Sequence, residues 1–363
     1  MIRPLRIALL GFGSAGRAFA ERLAGPYARV LARSGVRASL TGIATARHGA
    51  AIDARGLPPR RCLVRVRAGR SLDTLHQGAP LGSALEFIER VPADVLLELT
   101  PLDPRRGEPA TSHVRAALRR GMHVVTANKG PVAFALRELR ALAGRRGRLF
   151  LHEGVVMDGT PIFNLAERCL PGVRILGFRG LLNSTTTRIL TRMEQGVGFE
   201  RALREAQAAG VVEADPSNDL DGWDAAVKGC AIANALMRAD LRPAQVRRRG
   251  IAGIGPAQVR SALRAGERLR LVVRGRRTKG AVRVSVSPER LPADDLLVSR
   301  GSDGVLVLET DLMREVGIWE GAGGVDQTAY ALLSDLVAVA QAERDGRRSA
   351  SDSSGGRGGR TWD

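Results

Sequence analysis

Lysine is scarce in this chain. Of 363 residues 56 are Lys or Arg, yet lysine stands only at positions 129, 228 and 279. Three cysteines, Cys62, Cys169 and Cys230, are far apart and odd in number. They form neither a disulfide framework nor a zinc site, and a reducing cytoplasm is expected. Aromatics are 4% of residues, too few for base-stacking platforms. No apolar run reaches the ~18 residues of a membrane span, so no membrane partner is expected. The first apolar stretch, Leu5 to Leu10, runs into a glycine loop and not into a signal-peptide cleavage site.

What is abundant is arginine, and the formal net charge is +19. The excess is spread along the chain. From Gln341 to Asp363 five arginines face four acids, so the tail is not the source. A bias without a patch names no nucleic-acid partner, and none is expected.

Short apolar runs alternate with helical patterns over the first 150 residues. LRIALL (5–10) reads as a buried strand, Ser14 to Arg33 as a helix and Ser39 to Thr45 as a second strand. Residues 53–92 read as a loop-rich insertion with a helix near Leu81–Arg90. Strands are expected at Asp94–Thr100, His123–Thr126 and Leu149–His152, with helices at Ser112–Arg120 and Val132–Ala143. This order predicts an α/β fold with an N-terminal, Rossmann-type, doubly wound parallel sheet over residues 1–153. After that the rhythm changes to a second α+β domain over 154–310. A segment over 311–342, ending in a helix from Val325, is expected to return onto the first domain. Residues 343–363 are Ser/Gly/Arg-rich and read as a disordered tail.

Gly11-Phe12-Gly13-Ser14-Ala15-Gly16 lies between the first strand and the first helix. That context makes it a dinucleotide fingerprint: Gly11 for the tight turn, Gly13 for approach to a pyrophosphate, Gly16 for helix–strand packing. An NAD site wants a carboxylate about 20 residues on, for the ribose 2′-hydroxyl. No Asp or Glu occurs between Glu21 and Asp53, whereas Arg47 follows the second strand. NADP is therefore expected over NAD, with Arg47 on the 2′-phosphate.

Arginine cannot replace lysine where a proton is exchanged, so the few lysines carry information. Lys129 follows a strand end, where α/β folds bind ligands. Lys228 lies four residues after Asp224 on one helix face, which taken alone also fits a surface ion pair. Upstream, five carboxylates fall within twelve residues: Glu213, Asp215, Asp219, Asp221 and Asp224. A solvated acidic loop, or a pocket for a cationic substrate group, would each account for them; no histidine nearby favours a metal. The five histidines are scattered and are expected to be structural.

The segment Ala206-x3-Gly210-Val211-x3-Asp215-Pro216-x2-Asp219-Leu220-x-Gly222-x-Asp224-x3-Lys228 resembles the signature of homoserine dehydrogenases, with Val212 at a position where a small residue is usual. GFGSAG, ELTP (98–101), VVTANKGP (124–131), GLLNSTTTRIL (180–190) and EGAGGVDQTAYALLSD (320–335) are similar in order and spacing. Ser184 and Thr187 depart from the usual NGTTN. The resemblance implies NAD(P)-dependent interconversion of L-homoserine and L-aspartate 4-semialdehyde, in threonine and methionine biosynthesis. It assigns Lys129 and Lys228 to the reacting oxygen, Asp224 to orienting the lysine, and Glu213 and Asp219 to the substrate ammonium. It places Thr100 and the segment around Gly323 against the cofactor. A monovalent cation, sodium, would sit on main-chain oxygens of Glu153, Val156, Asp158 and Thr160. A homodimer built through the second domain is implied, and feedback through a regulatory domain is not expected. Another amino-acid dehydrogenase would share the glycine loop without needing both lysines. A silent basic Rossmann protein would show salt-sensitive nucleic-acid binding and no turnover.

Overall fold

The computed structural model describes residues 4–209, 215–298, 304–321 and 323–355, with side chains to residue 345. Six strands build the first sheet: β1 (Leu5–Leu10), β2 (Ala38–Ala44), β3 (Ala50–Ile52), β4 (Val95–Glu98), β5 (His123–Thr126) and β6 (Phe150–Leu151). Their order is β3-β2-β1-β4-β5-β6, parallel throughout except for β3, which turns back against β2. The alternation of β1 sends Ile7 and Leu9 into one core and Ala8 and Leu10 into the other. A strand buried on both faces needs just such an unbroken apolar run.

The helix expected over Ser14–Arg33 is two helices, Ser14–Leu23 and Pro26–Arg33. Pro26 has no N–H to continue the ladder, and Gly25 before it leaves the helical region. The stretch read as loop-rich holds a further helix at Pro59–Arg67, whose four arginines masked its buried Cys62, Leu63 and Val66.

The second sheet comprises β7 (Ile175–Leu181), β8 (Arg247–Arg248), β9 (Glu267–Thr278), β10 (Ala281–Pro292), β11 (Gly304–Thr310) and β12 (Glu315–Glu320), in the order β12-β11-β7-β9-β10-β8. The long β9–β10 hairpin closes through Lys279-Gly280, both left-handed (φ +48° and +83°), as a two-residue primed turn requires. Because β12 pairs with β11, the second sheet runs to Glu320, past the expected boundary at 310. The return proper is the helix Val325–Gly355, longer than expected and reaching into the stretch read as disordered. Ala, Glu and Arg in that stretch are good helix formers. Ala329, Leu332, Leu333, Leu336 and Val339 on it join the core around β1 and the helix Ser14–Leu23.

The helix Trp223–Leu236 joins the two halves. Ala225 to Ala235 are buried apart from Lys228. On one side Gly229 lies so close to β9 and β10 that a Cβ would stand 2.8 Å from Val273 and 2.9 Å from Val284. On the other side the helix packs on Lys129–Arg145. There Asn234 donates to the carbonyls of Val132 and Ala133 beside a kink at Ala135. Among the described residues no helix is long and apolar enough to cross a membrane.

Candidate active site

The glycine loop follows β1 directly. Gly11 has φ +101°, and a Cβ on it would lie 2.5 Å from Leu99 O. A Cβ on Gly16 would lie 2.7 Å from Gly11 O, while at Gly13 nothing stands within 4 Å. Two glycines therefore permit close packing and the middle one leaves open space for a ligand. Ser14 and Ala15 open the helix behind it, whose N-terminus directs its N–H groups toward that space. A cleft of about 800 Å³ runs over this loop, walled by Phe12, Gly13 and Thr100 and, at the end of β2, by Thr45, Arg47 and His48. The dimensions and the N–H-rich floor fit a dinucleotide. Arg17 and His113 also line it, and sequence reading missed both. Arg17 has a visible signal in hindsight, since it stands four residues after Gly13 on the first helix turn.

At the neighbouring end of β5, Lys129 meets Lys228 at one carboxylate. Lys129 begins its helix directly after the cap Asn128, whose side chain accepts from Gly130 N at 2.8 Å. A cation at a helix N-terminus is poorly placed for the helix dipole; Asp224 Oδ1, 3.4 Å from Lys129 Nζ, offsets this. Lys228 Nζ lies 2.9 Å from Asp224 Oδ2 and donates to Leu182 O at 2.6 Å. Asn183 Nδ2 donates to Asp219 Oδ1 at 2.7 Å and to Asp224 Oδ2 at 3.1 Å. Burial by itself pulls the Lys228 ammonium down, but Asp224, with Asp158 and Asp219 behind it, raises it above the ordinary lysine value. Burial pushes the Asp224 carboxyl up, and Lys228 and Lys129 outweigh it and hold it well below the usual range. Asp219 is raised, first by burial and then by the neighbouring Asp224 charge. The cluster thus holds two ammonium groups, one firmly ionised carboxylate and a second carboxylate short of positive partners. Asn183 stands in the sequence only as part of a motif; its bridging role depends on its place as the cap between β7 and the helix Ser184–Glu194. Glu213 lies outside the described residues.

The bend from Glu153 to Thr160 adjoins this cluster through Asp158. Met157, Asp158 and Gly159 are left-handed in succession (φ +48°, +45° and +98°). The Glu153 side chain accepts from the N–H groups of Ile162, Phe163 and Asn164, at 2.6, 2.9 and 2.7 Å, so it caps the helical segment that follows. Val156 is buried, and Thr160 N donates back to Met157 O at 2.8 Å. Gly323 comes against this bend and not the glycine loop: a Cβ on it would lie 2.4 Å from Asp158 Oδ2.

Residues 161–337 match the family described as homoserine dehydrogenase, and residues 11–153 match the homoserine dehydrogenase NAD binding domain. The chain is 36% identical over 339 residues to the NAD(+)-dependent homoserine dehydrogenase of Pseudomonas canavaninivorans, covering 93% of this chain and 96% of that protein. It is 36% identical to the homoserine dehydrogenase of Methanocaldococcus jannaschii, covering 92% and 98%. A hyperthermophilic archaeal homoserine dehydrogenase in complex with NADPH superposes with a TM-score of 0.78 at 29% identity, covering 93% of this chain and 98% of that one. Alike in sequence and fold over almost its whole length, the chain belongs to the homoserine dehydrogenase family, NAD(P)-dependent oxidoreductases that act on a CH–OH group.

Proposed function

We propose that Lys129 and Lys228 together handle the proton when L-homoserine and L-aspartate 4-semialdehyde interconvert, with Asp224 holding both in place. The carrying observation is the Asp224 carboxylate, shared at 3.4 and 2.9 Å by lysines from the two halves of the molecule. Two Lys228 hydrogens go to Leu182 O and Asp224, which leaves the third for a substrate oxygen. The nicotinamide supplies or accepts the hydride. In reduction, oxygen charge grows as the carbonyl is consumed, and a raised ammonium donates to it. In oxidation the same lysine takes the hydroxyl proton, so that direction gains with rising pH while reduction holds through neutral pH. Asp219, with Glu213, takes the substrate ammonium, which supplies the positive partner that Asp219 lacks.

NADP is preferred over NAD, because Arg47 lines the end of the cleft and no Asp or Glu occurs between Glu21 and Asp53. Thr100 contacts the cofactor from the same cleft. Gly323 contributes from the opposite side, beside Asp158. Main-chain oxygens of Glu153, Val156, Asp158 and Thr160 hold a monovalent cation, sodium; an all-oxygen, main-chain donor set on a tightly curled bend suits such an ion. The enzyme acts in the cytoplasm as a homodimer. Leu312, Met313 and Trp319, exposed on the β11–β12 hairpin of the second sheet, are the apolar surface that a second copy would cover.

The test is the initial rate at 340 nm with L-homoserine and either NADP⁺ or NAD⁺, for wild type, Lys129→Ala and Lys228→Ala. Loss of about 100-fold or more in both variants is expected. A variant turning over at the wild-type rate would remove that lysine from the chemistry.

A further inference from the structure

Glu98 ends β4, fully buried, and no role has yet been given to it. Its carboxylate accepts from Thr100 at two atoms: the backbone N–H at 3.1 Å and the hydroxyl, both on Oε1. Oε2 lies 3.0 Å from the Thr126 hydroxyl, which is also 3.0 Å from Glu98 O. Thr126 Oγ1 accepts in turn from Asn128 N at 2.9 Å. Asn128 Nδ2 completes the circuit by donating to Thr100 O at 2.8 Å. The result is a closed ring Glu98–Thr100–Asn128–Thr126 across the carboxyl ends of β4 and β5, buried except at Thr100. One member, Thr100, lines the cofactor cleft, and another, Asn128, caps the helix that starts at Lys129. His113 Nδ1 is 3.9 Å from Glu98 Oε1, too far to be a member.

We propose that Glu98 is a positioning residue that sets the distance between the cofactor wall at Thr100 and the acid–base group at Lys129. Hydride and proton transfer need both partners placed at once, and a displacement of about 1 Å costs on the order of 100-fold in rate. Thr100 stands in the same cleft wall as Gly13, and Asn128 immediately precedes the lysine as its helix cap. The ring is what references one to the other. The inference rests on the proposed roles of Thr100 and Lys129.

The chemistry of the ring dictates the variants. Glu98→Met keeps the length and removes every acceptor, leaving the Thr100 N–H and hydroxyl without this partner. Glu98→Gln keeps the ring, because its oxygen accepts from Thr100 and its amide donates to Thr126 Oγ1. Expected for Glu98→Met is a kcat about 30-fold or more below wild type, with the NADPH dissociation constant within about threefold, since phosphate contacts lie elsewhere. The deuterium isotope effect on kcat with homoserine labelled at the reacting carbon should rise, as the chemical step becomes limiting. Glu98→Gln should stay within about fivefold of wild type. Thr126→Val, which opens the ring at its other side, should reproduce the kcat loss and raised isotope effect if Glu98→Met does not fold. Wild-type kcat and isotope effect in Glu98→Met, or in Thr126→Val where that replaces it, would overturn the proposal. So would a Glu98→Gln loss as deep as that of Glu98→Met, since charge and not the ring would then be responsible. Lys129→Ala run alongside separates the two readings: full activity there removes the lysine assignment, while the Glu98 variants report on the ring.

Discussion

A side chain added at Gly13 would meet nothing within 4 Å, whereas the Lys228 ammonium is already bonded to Leu182 O and Asp224. The proposed cofactor region offers main-chain groups around a space kept clear by glycine. The proposed substrate region offers ionised side chains that compensate one another. The first is built to be empty and the second to be charged. The two should therefore fail differently: the glycine loop through shape, the lysine cluster through uncompensated charge.

The largest effect expected is at Lys228. Lys228→Met should lower kcat by about 10³-fold and, by leaving Lys129 as the one ammonium beside the Asp224 carboxylate, destabilise the fold by about 2 kcal/mol. Adding Asp224→Asn should restore much of the stability and none of the activity, as read from urea midpoints beside initial rates. Additive losses in both readouts would break the charge-compensation account.

Next come the glycines, where the loop divides internally. Gly11→Ala places a methyl group 2.5 Å from Leu99 O at φ +101°, and should cost about 2–4 kcal/mol of stability with loss of cofactor binding. Gly13→Ala should leave the melting temperature within about 2 °C while raising the cofactor KM by about tenfold. Equal stability losses in the two variants would remove the distinction between packing and ligand space.

Arg47→Ser should raise KM for NADP⁺ by about tenfold, the worth of one charge-assisted phosphate contact, and leave KM for NAD⁺ nearly unchanged. Parallel changes for both cofactors would place the 2′-phosphate elsewhere.

The smallest effect concerns the return helix. His123, buried under it, accepts from Leu149 N at Nδ1 and meets Glu343 at 2.9 Å through Nε2. Burial lowers its pKa below the ordinary histidine value. The folded imidazole thus stays neutral while the unfolded one takes a proton below about pH 6.5. Its contribution is complete above that pH and is lost as pH falls through the folded value. His123→Gln should flatten the acid limb of urea stability between pH 7.5 and 5 by about 1 kcal/mol. An unchanged limb would assign the acid sensitivity to other groups.

Much of this was legible before folding, for reasons that differ by region. β1, the glycine loop and β2 lie within 40 residues, so their chemistry is written contiguously. Lys129 and Lys228 stand out because lysine is rare, and the carboxylates because five of them fall within twelve residues of so basic a chain. The break at Gly25-Pro26 was signalled by proline and passed over because the apolar spacing continues across it. The helix Pro59–Arg67 was hidden by its arginines, which face solvent while three apolar residues do the packing. β12 read as part of the return because a short edge strand has only one partner to reveal it.

By itself the sequence determined a nucleotide-binding loop, the absence of any acid between Glu21 and Asp53, and a small set of lysines and clustered carboxylates, because each depends on residue type and local spacing. Only the tertiary structure decided that Lys129 and Lys228 share Asp224, that Asn183 bridges Asp219 to it, and that Glu98 closes a ring with Asn128. Apart from Lys228 with Asp224 on one helix, those contacts join residues 28 to 95 positions apart, and their distances follow from how the helix Trp223–Leu236 is held between the β9–β10 hairpin and the helix Lys129–Arg145 and from the register of β4 against β5.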